Sequence, residues 1–422
     1  MTHHPSRLGR LAVLFAALLG LAAVSGPAFA RPAPAPLIVV SLDGFRAEYF
    51  DRGLTPTLAE LARGGVRAKA MRPSFPSVTE PNHYTLMTGL YPDRHGIVDN
   101  TMVDPAIPGL TFGGPHGEGA DNDPRWWNQA TPLWVTAERR GLKTASSWWP
   151  GDGAVIHGVA PSYLQPRPKT RELFPAMEPQ IDTVLGWLDL PAAQRPALIR
   201  LHLDLVDLMG HISGPDGRNI DSALGKTDAA LARLVAGLKS RGLLDKTNLV
   251  IVSDHGMTRV SVKTTLFLDD MIDLKQAVVT TVGATGGVNP APGHEAEIAA
   301  VLLAPHDHLR CWRRADIPPA LHYGHNPRVP AILCLADLGW MITTRADYGR
   351  YPPLGGDHGY DPAVPDMAAL FIAHGPAFKT GVVLPAFDNV NVYALLTRVL
   401  RVPAEPNDGS LAPLRPALAG GT

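Results

Sequence analysis

The first uninterrupted apolar run, Leu37-Ile38-Val39-Val40-Ser41-Leu42, stops abruptly at Asp43-Gly44. A β-branched run without polar alternation predicts a strand buried on both faces, as in a parallel sheet. Helical spacing follows. Thr55 can cap a helix with Pro56 at its first position, Leu58, Leu61 and Ala62 on its apolar face, and Gly64-Gly65 at its end. Further buried-strand runs fall at 197–203, 249–253 and 367–373. Between two of them, residues 220–243 carry Leu224, Leu231, Leu234, Val235 and Leu238 on one helical face. This alternation predicts an α/β fold with a mainly parallel central sheet flanked by helices. Ligands in such sheets bind beyond the carboxyl ends of the strands, so the residues just after each run matter most.

Other segments break the pattern. Residues 102–170 are rich in Trp, Pro and Gly, and 259–352 is long, turn-rich and reads as an insertion or cap. The Pro/Ala/Gly-rich tail, 403–422, predicts loose packing. At the other end, Arg7 and Arg10 precede an apolar run from Leu11 to Val24, and Ala28-Phe29-Ala30 offers small residues for cleavage. That is the form of a secretory signal peptide over 1–30, with an apolar core shorter than the roughly twenty residues of a membrane span. A Pro/Ala-rich linker, 31–36, would lead into a catalytic domain at 37–402, exported to the periplasm or secreted and without a membrane span after cleavage.

Composition narrows the partner class. A formal net charge of -1 and a pI near 7.0 leave no electrostatic footprint for a nucleic-acid polymer, so a small substrate is expected. Cys311 and Cys334 are the only cysteines. In an oxidising compartment they can pair, the alternative being two separate buried thiols, and two cysteines cannot build a cysteine zinc finger.

The candidate chemistry gathers where the sheet rule places it: Asp43 after the first run, Asp207 and His211 after the second, Asp254-His255 after the third, and His358 in Gly356-Asp357-His358-Gly359. Asp207 and His211 are four apart and would share a helix face. Singly, each segment is more often a turn or a solvated face. Together, three carboxylates and three imidazoles suit two borderline divalent cations, zinc above all, with manganese or iron able to fill the same shell. Thr79, at the start of a helical run, would ordinarily be a cap. Beside a metal its hydroxyl becomes a nucleophile near neutral pH.

These residues resemble the nucleotide pyrophosphatase/phosphodiesterases of the alkaline phosphatase superfamily, from about Pro36 to Ser410. The resemblance is carried by Ser41-Leu42-Asp43-Gly44-Phe45-Arg46, the segment around Thr79, Thr88-Gly89-Leu90-Tyr91-Pro92, His95-Gly96-Ile97 and Trp149-Pro150-Gly151. Asp207-Leu208-Met209-Gly210-His211, Ser253-Asp254-His255-Gly256-Met257 and Gly356-Asp357-His358-Gly359-Tyr360-Asp361 extend it. It implies an alkaline-phosphatase-like core and two zinc ions, one on Asp207, His211 and His358 and the other on Asp43, Thr79, Asp254 and His255. It further implies attack by Thr79, a phosphothreonine, and Asn100 with the Thr79 amide donating to a phosphate oxygen.

Substrate-binding positions depart from the family pattern. Glu80 stands where nucleotide-cleaving members usually carry a Phe that stacks the base, and His202 where a tyrosine is frequent. Tyr163 matches the aromatic expected on the base's other face. Glu80, Asn100, Tyr163 and His202 are therefore the expected substrate contacts. The implied function is a phosphodiesterase or nucleotide pyrophosphatase for small phosphodiesters or nucleotides. A choline or lysophospholipid phosphodiesterase, a phosphomonoesterase and a noncatalytic zinc protein are the alternatives.

Overall fold

The computed structural model describes residues 1–2, 34–113, 120–168, 176–350 and 352–420. The signal-peptide reading therefore lies almost wholly outside the described residues. Among the described residues no helix is long and apolar enough to cross a membrane.

The central sheet contains β1 (Leu37–Leu42), β2 (Val66–Ala68), β3 (Thr144–Ser147), β4 (Tyr163–Gln165), β5 (Leu198–Leu203) and β6 (Asn248–Val252). After an intervening small sheet come its last members, β11 (Phe371–His374) and β12 (Val382–Leu384). The order is β12-β2-β11-β6-β1-β5-β3-β4. β1 runs parallel to both β5 and β6, and β3 is parallel to β4 and β5, while β11 is antiparallel to β6 and β2. The mainly parallel sheet is thus as the hydrophobic pattern predicts.

Alternation along β1 divides the core. Leu37 and Val39 face a layer that includes Leu86, Met87, Leu395 and Leu396, whereas Ile38, Val40 and Leu42 face Ile181, Leu224, Leu231 and Leu234. Each such fully buried side chain stabilises the fold by about 1.5–3 kcal/mol of transfer free energy. The long helix runs Arg218–Ser240 and buries the stripe expected of it. The helix Pro56–Arg63 forms as its pattern predicts, but Thr55 makes no side-chain cap. Instead Asp228, from the long helix, accepts from Thr57 N and Leu58 N, both at 3.0 Å. A carboxylate there satisfies two orphan donors at the positive end of the helix dipole.

The 259–352 segment builds a separate four-stranded antiparallel sheet from β7 (Ala277–Thr281), β8 (Thr285–Pro290), β9 (Leu309–Arg313) and β10 (Ile332–Ala336), in the order β7-β8-β10-β9. Cys311 and Cys334 face each other across β9 and β10 and form a disulfide. The expectation of a loosely packed tail is corrected: Leu414 and Ala417 are fully buried. Asp408 accepts from Tyr91 N at 3.1 Å. The few apolar residues among the tail's prolines anchor it on the core.

Candidate metal centre and nucleophile

All four ligand-bearing segments meet beyond the carboxyl ends of β1, β5 and β6. Asp43 follows β1 directly, and its amide donates to Leu203 O at 2.9 Å. Gly44 has φ +66°, and a Cβ there would lie 2.8 Å from Asp207 Cα, so the turn requires glycine both for its left-handed backbone and for the close approach. After β6, Ser253 Oγ accepts from Phe45 N at 2.9 Å and donates to His255 O at 2.7 Å, locking the two turns together. The helix Leu205–Ser213 carries Asp207 and His211 one turn apart. The short pairing of Gly356–Asp357 with Thr258–Arg259 brings His358 alongside.

Two ligand groups result. Asp207, His211 and His358 form one, Asp43, Asp254 and His255 the other, and within each the candidate ligand atoms lie within 4.8 Å of one another. His255 Nδ1 donates to Gly256 O (2.8 Å), His358 Nδ1 to Ser77 O (3.0 Å) and His211 Nδ1 to Gly356 O (3.1 Å). Backbone acceptors behind the rings hold each Nδ1–H and turn every Nε2 inward, the usual outer-shell arrangement of metal-binding histidines.

The carboxylates carry the matching signal. Asp43 Oδ1, Asp207 Oδ1 and Asp254 Oδ2 are buried without a hydrogen-bond partner. These are the atoms facing the imidazoles: Asp43 Oδ1 is 3.5 Å and Asp254 Oδ2 3.0 Å from His255 Nε2, and Asp207 Oδ1 is 3.5 Å from His211 Nε2. Burial pushes the Asp207 carboxyl up to about 7, against the opposing pull of His211. Burial and two neighbouring imidazoles hold His358 well below its ordinary value. Burial also lowers His255, but Asp254 with Asp43 and Asp207 overcomes it and draws the ring up to about 10. Divalent cations would satisfy the orphaned oxygens and, displacing the Nε2 protons, the converging ring nitrogens at once. The residues present fit such ions.

Thr79 opens the helix Thr79–Thr88, and its Oγ1 lies 3.2 Å from His255 Nε2. Asn82 holds the preceding turn by donating from Nδ2 to Val78 O (2.8 Å) and Pro76 O (3.0 Å). Asn100 Oδ1 accepts from Glu80 N at 2.8 Å, so its NH2 end and the Thr79 amide are the donors left at the helix start. Thr79, Asn100 and the six ligands are therefore brought together.

Two expected substrate contacts take other partners. His202 is 2 % exposed and lies beneath the cluster, its Nε2 2.8 Å from Asp43 Oδ2 and its Nδ1 3.2 Å from Trp148 O. Strand alternation turns it inward, against Asp43. Tyr163 begins β4 in register with Ala145. Its hydroxyl donates to Gln194 O at 2.9 Å and its ring packs 6.5 Å from Trp187. It belongs to the helix layer below the strand ends, which corrects its expected role beside a base.

Glu80 stays at the site. Burial lifts its carboxyl to about 7, as does Asp121, while Arg167 pulls it down. Arg167 pairs with Asp204 at 2.8 Å, and its guanidinium lies 5.8 Å from the Trp148 ring. No local pattern marks Arg167, because its partner is contributed by another strand end. His83 lies four residues after Thr79, on the same helix face, and joins the surroundings of the cluster although no sequence motif marks it. It contacts Ser41 Oγ (2.8 Å) and Thr79 O (2.9 Å), and stands 3.4 Å from Asp254 Oδ2.

Comparison with known proteins gives a concordant picture. The family model for type I phosphodiesterase / nucleotide pyrophosphatase matches residues 37–361. An uncharacterized pyrophosphatase/phosphodiesterase of Schizosaccharomyces pombe is 36% identical over 387 residues, covering 89% of this chain and 78% of that protein. Ectonucleotide pyrophosphatase/phosphodiesterase family member 3 of Bos taurus is 34% identical over 89% of this chain, which spans only 43% of that protein's length. The solved structure of murine ectonucleotide pyrophosphatase / phosphodiesterase 5 superposes with a TM-score of 0.85 at 32% identity, covering 91% of this chain and 100% of that one. An inactive variant of the same murine protein, in complex with AMP, matches equally.

Proposed function

This chain belongs to the type I phosphodiesterase / nucleotide pyrophosphatase family and is a metal-dependent hydrolase, and from that premise we propose an exported two-zinc phosphodiesterase that works through a phosphothreonine on Thr79. Its substrates are nucleotides and related small esters, cleaved at a phosphodiester or phosphoanhydride bond. Export rests on the Arg7 to Ala30 pattern. The observation that carries the reading is the placement of Thr79 Oγ1, 3.2 Å from His255 Nε2, beside two triads whose inward carboxylate oxygens lack partners.

Asp207, His211 and His358 would hold one zinc, and Asp43, Asp254 and His255 the other, together with Thr79. Bound zinc supplies Lewis acidity, lowering the pKa of a coordinated hydroxyl or water and offsetting charge on a departing oxygen. Thr79 attacks phosphorus in line while its own amide and the Asn100 NH2 donate to a non-bridging oxygen. Such prealigned donors are worth about 100- to 1,000-fold in rate each. Water then releases the phosphothreonine by a second in-line displacement, giving net retention at phosphorus.

On the substrate side, neither expected stacking position offers an aromatic face. Glu80 presents a carboxylate there, with the Arg167–Asp204 pair and Trp148 close by. This charge favours a second reading, a choline-type or other cationic head group, in which Glu80 meets the cation. A substrate panel separates the two. Nitrophenyl thymidine monophosphate diester should be hydrolysed far faster than nitrophenyl phosphate, and dinucleotides faster than glycerophosphocholine. Preference for glycerophosphocholine would establish the head-group reading, and preference for the monoester a phosphatase. Bound metal without chelator-sensitive hydrolysis would leave a noncatalytic zinc protein.

A further inference from the structure

The four-stranded sheet between β6 and β11 is not a detached cap. Its first hairpin, β7 to β8, reaches the site at the Thr281–Thr285 turn. A register irregularity in the pairing of β7 with β8 falls between Val279 and Thr281. A bulge re-aims the side chain that follows it. Here Thr280 Oγ1 donates back to Gly287 O at 3.3 Å, whereas Thr281 Oγ1 leaves the sheet and donates to Asp99 Oδ1 at 3.0 Å. Both partners are buried, Asp99 at 6 % and Thr281 at 7 % exposure.

Asp99 immediately precedes Asn100. Burial pushes the Asp99 carboxyl up to about 6, against the Thr281 hydroxyl, the Thr101 and Asn100 amides and the Thr285 hydroxyl, which favour its charged form. The connection between β9 and β10 grips the adjacent residue, since Tyr323 Oη donates to Val98 O at 2.9 Å. From the other side, a Cβ on Gly113 would sit 1.6 Å from Asn100 O, so the opposing backbone also closes on this loop. The turn also packs on the loop of His358, where Val78 lies too: a Cβ on Gly359 would meet Val78 Cγ1 at 3.1 Å and Ala284 Cβ at 3.3 Å. Val78 precedes Thr79, and Gly359 follows His358.

We propose that Thr281, with Thr285, acts through Asp99 as a positioning device for Asn100, so that the inserted sheet sets the phosphate-facing carboxamide against the Thr79 helix. A buried carboxylate that loses a hydroxyl donor must find another partner or move. Movement of Asp99 carries the next residue with it, and displacement of about 1 Å at a reacting geometry is enough for a hundredfold loss. The inference rests on the reading of Asn100 as a phosphate donor.

A double-mutant cycle on the full-length metal-loaded enzyme tests it, using nitrophenyl thymidine monophosphate diester as substrate. Thr281→Val should lower kcat by about ten- to hundredfold with little change in KM and with both metal equivalents retained. Thr281→Ser, which keeps the hydroxyl, should restore most of the rate. In an Asn100→Ala background, Thr281→Val should have no further effect. Equal losses in the two backgrounds, or wild-type kcat in Thr281→Val, would overturn the positioning role while leaving Asn100 as a donor. Wild-type kcat in Asn100→Ala alone would instead remove the phosphate-donor reading on which the inference stands. Thermal melting of each variant guards against misfolding; if Thr281→Val melts early, Asp99→Asn, which still accepts from Thr281, must keep more activity than Asp99→Ala or the proposal fails.

Discussion

His202 and Asp43 form a buried pair, with Nε2 of the histidine 2.8 Å from Oδ2 of the carboxylate and Nδ1 3.2 Å from the Trp148 carbonyl. Acceptors at both nitrogens call for both protons on the ring; burial lowers its pKa, but Asp43 raises it further. The pair pins one oxygen of Asp43 and leaves Oδ1 to face His255. Replacing His202 with Phe should weaken metal binding about 10- to 100-fold, the usual effect of losing a group that orients a ligand. A competition titration against a zinc chelator reads this, and His202→Gln, which retains one donor, should lie between wild type and Phe. Unchanged affinity in His202→Phe would refute the pinning.

The Nε2 atoms of His211 and His358 approach to 3.2 Å. Both rings turn Nε2 into the same space beside Asp207, where a single cation would bind the two nitrogens together. His358→Ala should therefore drop the bound metal from about two equivalents to about one and abolish diesterase activity. Elemental analysis of the purified variant checks the first outcome. Chelation of the wild-type enzyme should be reversed by added zinc.

Thr79→Ala should cost at least about a thousandfold in kcat, since it removes the hydroxyl that stands 3.2 Å from His255 Nε2 at the candidate metal centre. The fold and metal content should survive, because Thr79 is only one member of its ligand group. Thr79→Ser should keep measurable turnover, and a trapped covalent phosphate on the wild type should map to this residue. Activity within tenfold of wild type in Thr79→Ala would move the nucleophile elsewhere.

Asp99 gives a pH dependence of stability. Its carboxyl pKa is raised by burial to about 6 in the folded state, above its ordinary value of 3.8. The folded protein therefore binds this proton more tightly than the unfolded chain does. The stabilisation is complete below the unfolded pKa and lost as pH rises through about 6. Asp99→Asn, which never ionises, should gain stability relative to wild type between pH 4 and pH 8, by no more than about 3 kcal/mol. Melting temperatures of the two proteins across that range measure it, and a constant difference would refute the assignment.

Much of this architecture is legible along the chain because it depends on near neighbours. The apolar runs before Asp43, Asp207 and Asp254 predict strands, and the rule that parallel strands deliver ligands at their carboxyl ends then selects the residues that converge. The spacing of Asp207 and His211 predicts their shared helix face, and the Thr79 segment its helix. Facing and partnership are another matter. Tyr163 turns to Gln194 and His202 to Asp43 because register across the sheet assigns each side chain a face, and a single residue of register reverses it. Asp228 replaces Thr55 as a helix cap from 171 residues away, and Thr281 reaches Asp99 across 182. Pairings over such distances are chosen by the packing of whole layers, which local pattern does not encode. The candidate ligands are written in the order of residues; how their side chains are held is decided where distant segments close on one another.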